Sequence, residues 1–233
     1  MFDKKEKNNI LATVLVIAFV FAFNDKNEIF VLNNWILNFL KVLVFSAITV
    51  LSYELAQKYV ARLQGIKIYH EIRYGINFFG KKKKFPTTII IAIILTLLTN
   101  GKFYFAAIKK TEVFAKKAIG KRYPYPKEFE ISRMIAAGPI STIFLAAIVS
   151  GLNFSFLDQL KLMLILYSVY NILPIPPLDG SKIFFHSLPM FILSFVFITA
   201  SASLFYATQS LLVIFVSIMI SLTFFYAILV KLS

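Results

Sequence analysis

Asn171-Ile-Leu-Pro174-Ile-Pro176-Pro177-Leu178-Asp179-Gly180 sets an amide, three prolines and a carboxylate between two strongly apolar segments, Leu160 to Leu173 and Ile183 to about Ala200. Prolines end a helix and free backbone carbonyls, which are tolerated at membrane depth only where they face protein or a water-filled cavity. A carboxylate at that depth marks a functional site by default. Asp179 also has a plainer reading: it stands where the next helix begins, so its side chain can serve as an N-cap. Both readings imply a polar pocket, and Asn171, one turn before Pro174, faces the same region.

The apolar character of the flanks extends to the whole chain. Its 233 residues are 59% hydrophobic and 16% aromatic, with a mean hydropathy of +0.77, more apolar surface than a soluble domain of this size can hide. The reading is one membrane domain over 1–233. The absence of Cys excludes disulfides and thiolate metal sites. A metal would have to use carboxylates or the two histidines, His70 and His186. The net charge of +14 is concentrated: fifteen Lys/Arg against four Asp/Glu fall between Lys67 and Arg133. That bias marks a cytoplasmic flank, with Lys81 to Lys84 placed to meet anionic lipid head groups. No base-stacking module accompanies the charge, so nucleic acid is not the expected partner.

Six crossings follow from the apolar runs. Ile10 to Phe23 follows Lys4, Lys5 and Lys7 but lacks a small-x-small cleavage site, so it reads as a retained first span. Trp35 to about Arg62 is the second, Ile131 to Gly151 the third and Leu160 to Leu173 the fourth. Ile183 to about Ala200 is the fifth and Tyr206 to Val230 the sixth. Phe85 to Thr99 is apolar but flanked by basic clusters on both sides, which predicts a re-entrant or interfacial segment. Lys102 to Arg133, with the turn Tyr123-Pro124-Tyr125-Pro126, predicts a small element of strand and loop. The expected architecture is therefore an all-α polytopic membrane protein. Its core covers about 29–200, its basic insertion about 64–130, and both termini and the 64–133 region lie in the cytoplasm.

Residues four apart share a helix face, so Tyr53 and Gln57 point one way, and Glu54 and Lys58 another. An ion pair between Glu54 and Lys58 near the membrane surface is the plain reading of that second pair.

These residues resemble a family. Asn171 to Gly180 matches the Asn-x-x-Pro-x-x-Pro-x-Asp-Gly motif of the site-2 protease family of intramembrane zinc metalloproteases, of the archaeal and bacterial type. Ala137-Gly138-Pro139 looks like that family's Ala-Gly-Pro element, and Leu51 to Arg62 is similar to its zinc-binding helix. The three motifs occur in family order over Leu51 to Lys182.

The family's zinc helix carries His-Glu-x-x-His, two imidazoles with a general-base Glu. Here Tyr53 and Gln57 stand at the two His positions. The resemblance then leaves Glu54 at the general-base position and Asp179 at the third ligand position. Phenol and amide oxygens replace imidazole poorly, so no zinc is expected, and His70 and His186 read as interfacial rather than as rescuing ligands. Without metal-bound water, metal-assisted peptide hydrolysis should fail. An aspartyl-type mechanism on the carboxylate pair has nothing in the sequence to favour it over an inert pocket.

What the resemblance implies is a pseudoprotease that receives a client's transmembrane segment at Asn171, Pro174, Pro176, Pro177 and Asp179 without cutting it. Two other readings stand beside it. One is an active protease with atypical ligands; the other is a small carrier with a discontinuous helix, which lacks the two related halves expected of such carriers.

Overall fold

A computed structural model describes residues 3–23, 31–72, 87–102, 104, 109–115, 126–152, 154–176, 178–207 and 212–232. Lys81 to Lys84, Phe85, Tyr123 to Tyr125 and Pro177 lie outside the described residues. The helices are α1 (Lys4–Ala22), α2 (Leu32–Leu63), α3 (Thr87–Leu98), α4 (Glu128–Gly151), α5 (Asp158–Ile172), α6 (Asp179–His186), α7 (Leu188–Ala207) and α8 (Leu212–Leu232). Two strands, β1 (Ile66–Ile72) and β2 (Lys109–Ala115), pair antiparallel.

Helix α2 shows the environment the chain is built for. Leu37, Leu40, Val44, Ile48, Leu51 and Leu55 form an exposed stripe at helical spacing, while Ser46, Thr49, Tyr53, Glu54 and Gln57 are buried. A water-soluble helix places these classes the other way round. Helices α2, α4 and α7 as far as Tyr206 are long and apolar enough to cross a membrane. The 12 residues of α3 rise about 18 Å at 1.5 Å per residue, short of the roughly 30 Å hydrocarbon layer.

Two sequence expectations need correction. The fifth span does not start at Ile183: residues Ile183 to His186 end α6, and a new helix begins at Leu188. Pro189 is the cause, because its ring cannot follow the Phe185 carbonyl within one helix. Ser187 is extended at φ −159°, and its hydroxyl oxygen accepts from the Met190 backbone amide at 3.4 Å. Likewise Tyr206 belongs to α7, and α8 starts at Leu212. The helical class describes most of the molecule, with the β1–β2 sheet as an addition. Strand β2 lies in the segment expected to hold strand and loop; β1 was not anticipated, although Ile66-Lys-Ile68-Tyr-His70 alternates with the period of a strand.

Helices α2, α4 and α5 pack around the middle of the molecule. Lipid tails are as apolar as Leu, so close packing and interhelical hydrogen bonds, rather than water exclusion, hold such helices together. On α4 and α5, Thr142 and Ser168 bond each other, and Ser168 donates to the Pro139 carbonyl at 3.1 Å.

A second tie joins α1 to the sheet. Buried Glu6 receives the Lys58 ammonium at 2.6 Å and the His70 backbone amide at 3.3 Å. The same side chain accepts from the Asp3 amide at 3.4 Å, closing the start of α1. Asn9 adds a bond from its amide nitrogen to the His70 carbonyl at 3.3 Å.

Candidate functional site

Two glycines and a proline bring the site together. The Cα of Gly180 sits against the end of α5 so closely that a Cβ there would lie 2.0 Å from the Ile172 carbonyl oxygen. Only glycine permits this approach, and it sets the first turn of α6 against the end of α5. Gly138 does the same for α4: a Cβ would lie 2.6 Å from the Tyr53 ring and 2.8 Å from Gln57 Nε2. One residue later, Pro139 has no N–H to offer the Ile135 carbonyl. Gln57 Nε2 supplies the missing donor at 2.9 Å.

Asp179 lies at the centre. It is the first residue of α6, with Leu178 at the N-cap position, so the N-cap reading is corrected: its carboxylate reaches across the bundle. Oδ2 accepts from the Tyr53 hydroxyl at 2.7 Å, from Gln57 Nε2 at 2.9 Å and from the Thr111 hydroxyl at 3.0 Å. Gln57 Nε2 thereby uses both its hydrogens, one on Asp179 and one on Ile135. Asp179 Oδ1 and Gln57 Oε1 are buried acceptors with no partner among the described residues.

Around this centre, the Tyr53 and Tyr167 rings meet edge to face with centroids 5.1 Å apart. Glu54 is 1% exposed and turned inward. The neighbouring Lys58 is drawn to Glu6.

The proline segment has two characters. Asn171 is buried and its amide nitrogen donates to the Tyr167 carbonyl at 2.8 Å, which makes it part of the α5 end rather than a surface. Pro174, Ile175 and Pro176 are exposed. A turn returns the chain at Leu178, whose amide bonds the Ile175 carbonyl at 2.8 Å.

Sequence reading missed two members of the site, Thr111 and His70. They are register partners across the sheet. Thr111 spends its proton on Asp179, which leaves its oxygen to accept from His70 Nδ1 at 3.4 Å and assigns the Nδ1–H form to the imidazole. His70 is 2% exposed and lies two residues beyond buried Ile68 on the same strand face, so it sits inside the protein. His186, by contrast, is half-buried and, among the described residues, bonds within its helix, to the Lys182 carbonyl at 2.7 Å.

These residues do not fit a zinc ion. Tyr53 and Gln57 aim an O–H and an N–H, not lone pairs, at Asp179 Oδ2, and with Thr111 that oxygen already accepts three hydrogen bonds. Among the described residues no group of three His, Cys, Asp or Glu is arranged to hold a metal, where zinc takes at least three protein ligands. The arrangement instead leaves two buried acceptors, Asp179 Oδ1 and Gln57 Oε1, and an exposed Pro174 to Pro176 segment a few residues before Asp179 in the chain. Comparison with protein-family models, curated proteins and solved structures finds no match for this chain.

Proposed function

We propose that this chain is a multi-pass membrane protein on a site-2-protease-like scaffold that holds a client's transmembrane segment without cleaving it. The observation that carries the proposal is the closure of the ligand positions on themselves. Tyr53 and Gln57 donate to Asp179, so the place of a catalytic metal is taken by neutral hydrogen-bond donors. Such a pocket has no means of polarising a peptide carbonyl or of acidifying a water. It retains buried acceptors that a client's backbone N–H groups could meet, and an exposed Pro174 to Pro176 segment that leads into Asp179.

The topology belongs to the same proposal: α1, α2, α4, α5, α7 and α8 as six crossings, with both termini and the 64–133 region cytoplasmic. Labels at Lys82 and Lys231 are then reached only from the cytoplasm, and a label at Asp158 only from outside.

The test of function uses the full chain in its membrane, with a photo-crosslinking amino acid at Ile175. Crosslinks to an uncut membrane protein, lost when the two acceptors are masked by Asp179→Asn with Gln57→Leu, are the expected result. Crosslinked fragments, or about one tightly held zinc per purified chain, overturn the proposal. A companion variant, Tyr53→His with Gln57→His, should acquire zinc if Asp179 lies at the third ligand position. A reading as an active protease with atypical ligands has one observation in its favour, the imidazole of His70 one hydroxyl away from Asp179. The zinc measurement on the unaltered chain separates the two.

A further inference from the structure

Just beyond Gln57, the last turns of α2 and the start of β1 line a cleft of about 410 Å³. Its apolar lining is Ala61, Ile66 and Ile68, and its polar lining is Lys58, Arg62 and Lys67. The helical part repeats at 58, 61 and 62, a single face of α2. Gly65, at φ 70°, turns the chain from helix into strand with no side chain to fill the space.

The charges in the cleft are unequal. Lys58 is held by Glu6 at 2.6 Å and contributes little net charge. Arg62 and Lys67 are exposed, and among the described residues neither is joined to a carboxylate by an ion pair. Two positive side chains thus border an apolar recess at the end of a helix long and apolar enough to cross a membrane. On the adjoining surface of the same turn, Tyr59 is 66% exposed and Leu63 is 67% exposed. A tyrosine and a leucine beside exposed cations are the composition of a headgroup boundary, where aromatic rings and basic side chains meet lipid.

We propose that this cleft binds the phosphodiester headgroup of an anionic phospholipid. The Arg62 guanidinium and the Lys67 ammonium hold the phosphate, and the acyl chains lie along Tyr59 and Leu63. Arginine suits the role because its planar fork matches two phosphate oxygens at once. The shared chemistry with a free phosphate ion is the anionic oxygens; the exposed Tyr59 and Leu63 assign the site to lipid. The inference is independent of what the Asp179 pocket does.

The experiment places the full chain in nanodiscs of phosphatidylcholine and titrates in phosphatidylglycerol, reading bound lipid by native mass spectrometry and the thermal midpoint of the protein. Two basic residues near a membrane surface contribute enough for Arg62→Ala with Lys67→Ala to weaken phosphatidylglycerol binding about tenfold or more. Lys102→Ala with Lys127→Ala removes the same charge from other exposed positions and should leave binding within about twofold. Equal losses in both double variants would reduce the cleft to general surface charge and overturn the proposal. Inorganic phosphate protecting the chain as well as phosphatidylglycerol does would overturn the assignment to lipid. If the alanine pair loses its fold in phosphatidylcholine alone, Arg62→Gln and Lys67→Gln, read singly, each still have to weaken the lipid. Unchanged binding in both ends the proposal.

Discussion

The Asp179 pocket has a helical wall and a stranded wall, and they are made differently. The helical wall, where α4 and α6 meet α2 and α5, rests on backbone approach: Gly138 and Gly180 leave no space for a methyl group, and Pro139 frees the carbonyl that Gln57 binds. The stranded wall rests on side-chain tips, Thr111 on Asp179 and His70 on Thr111. Shape fixes the first and polar contacts fix the second. The first should therefore fail abruptly when altered, and the second should loosen by degrees.

The sharpest way to break that comparison is Gly180→Ala. Its added Cβ meets backbone at 2.0 Å, which no side-chain rotation relieves, so a loss of more than about 3 kcal/mol is expected. Thermal unfolding in detergent that matched the unaltered chain would show that α6 slides freely on α5. Gly138→Ala meets side-chain atoms of Tyr53 and Gln57 instead and should cost less, about 1–3 kcal/mol.

Asp179→Ala removes one acceptor from three buried donors. Each stranded donor costs roughly 1–3 kcal/mol before relaxation, so the variant should be clearly destabilised rather than merely impaired in binding. A double-mutant cycle sharpens the point, because Tyr53→Phe should be almost neutral once Asp179 is gone and costly while it is present. Equal costs in the two backgrounds would mean that the 2.7 Å contact contributes nothing.

For the stranded wall, Thr111→Val keeps the shape and deletes the hydroxyl, with an expected cost of about 1 kcal/mol. Its readout is hydrogen exchange: amides of β1 and β2 should exchange faster while those of α4 keep their protection. Faster exchange in α4 would join the two walls into one unit. The smallest expected effect is Pro139→Ala, which gives the Ile135 carbonyl an intrahelical donor in competition with Gln57 and should shift stability by less than about 1 kcal/mol.

The same contrast explains what could be read from the sequence. The elements that meet through backbone carry their signals in residue type: Pro174, Pro176, Gly180 and Ala137-Gly138-Pro139 are conspicuous in an apolar chain, and Tyr53, Gln57 and Asp179 do converge. The strand residues carried a weaker signal. Thr111 and His70 lie 41 positions apart in a region dominated by basic residues, and only antiparallel pairing brings them together. The alternation from Ile66 to His70 contained the clue to β1, but charge density drew the reading toward a solvated flank. Pro189 could have marked the α6–α7 break, since a proline cannot continue the helix begun at Asp179.

The bond from the His70 amide to Glu6 spans 64 residues of sequence. During synthesis at about 5–20 residues per second, the acceptor therefore precedes its donor by roughly 3–13 s. Lys58, its other partner, also emerges well after it. Throughout that interval the start of α1 carries a carboxylate destined for burial but still without the ammonium and amide that will enclose it. The order of manufacture thus makes the first helix before the residues that secure its buried carboxylate.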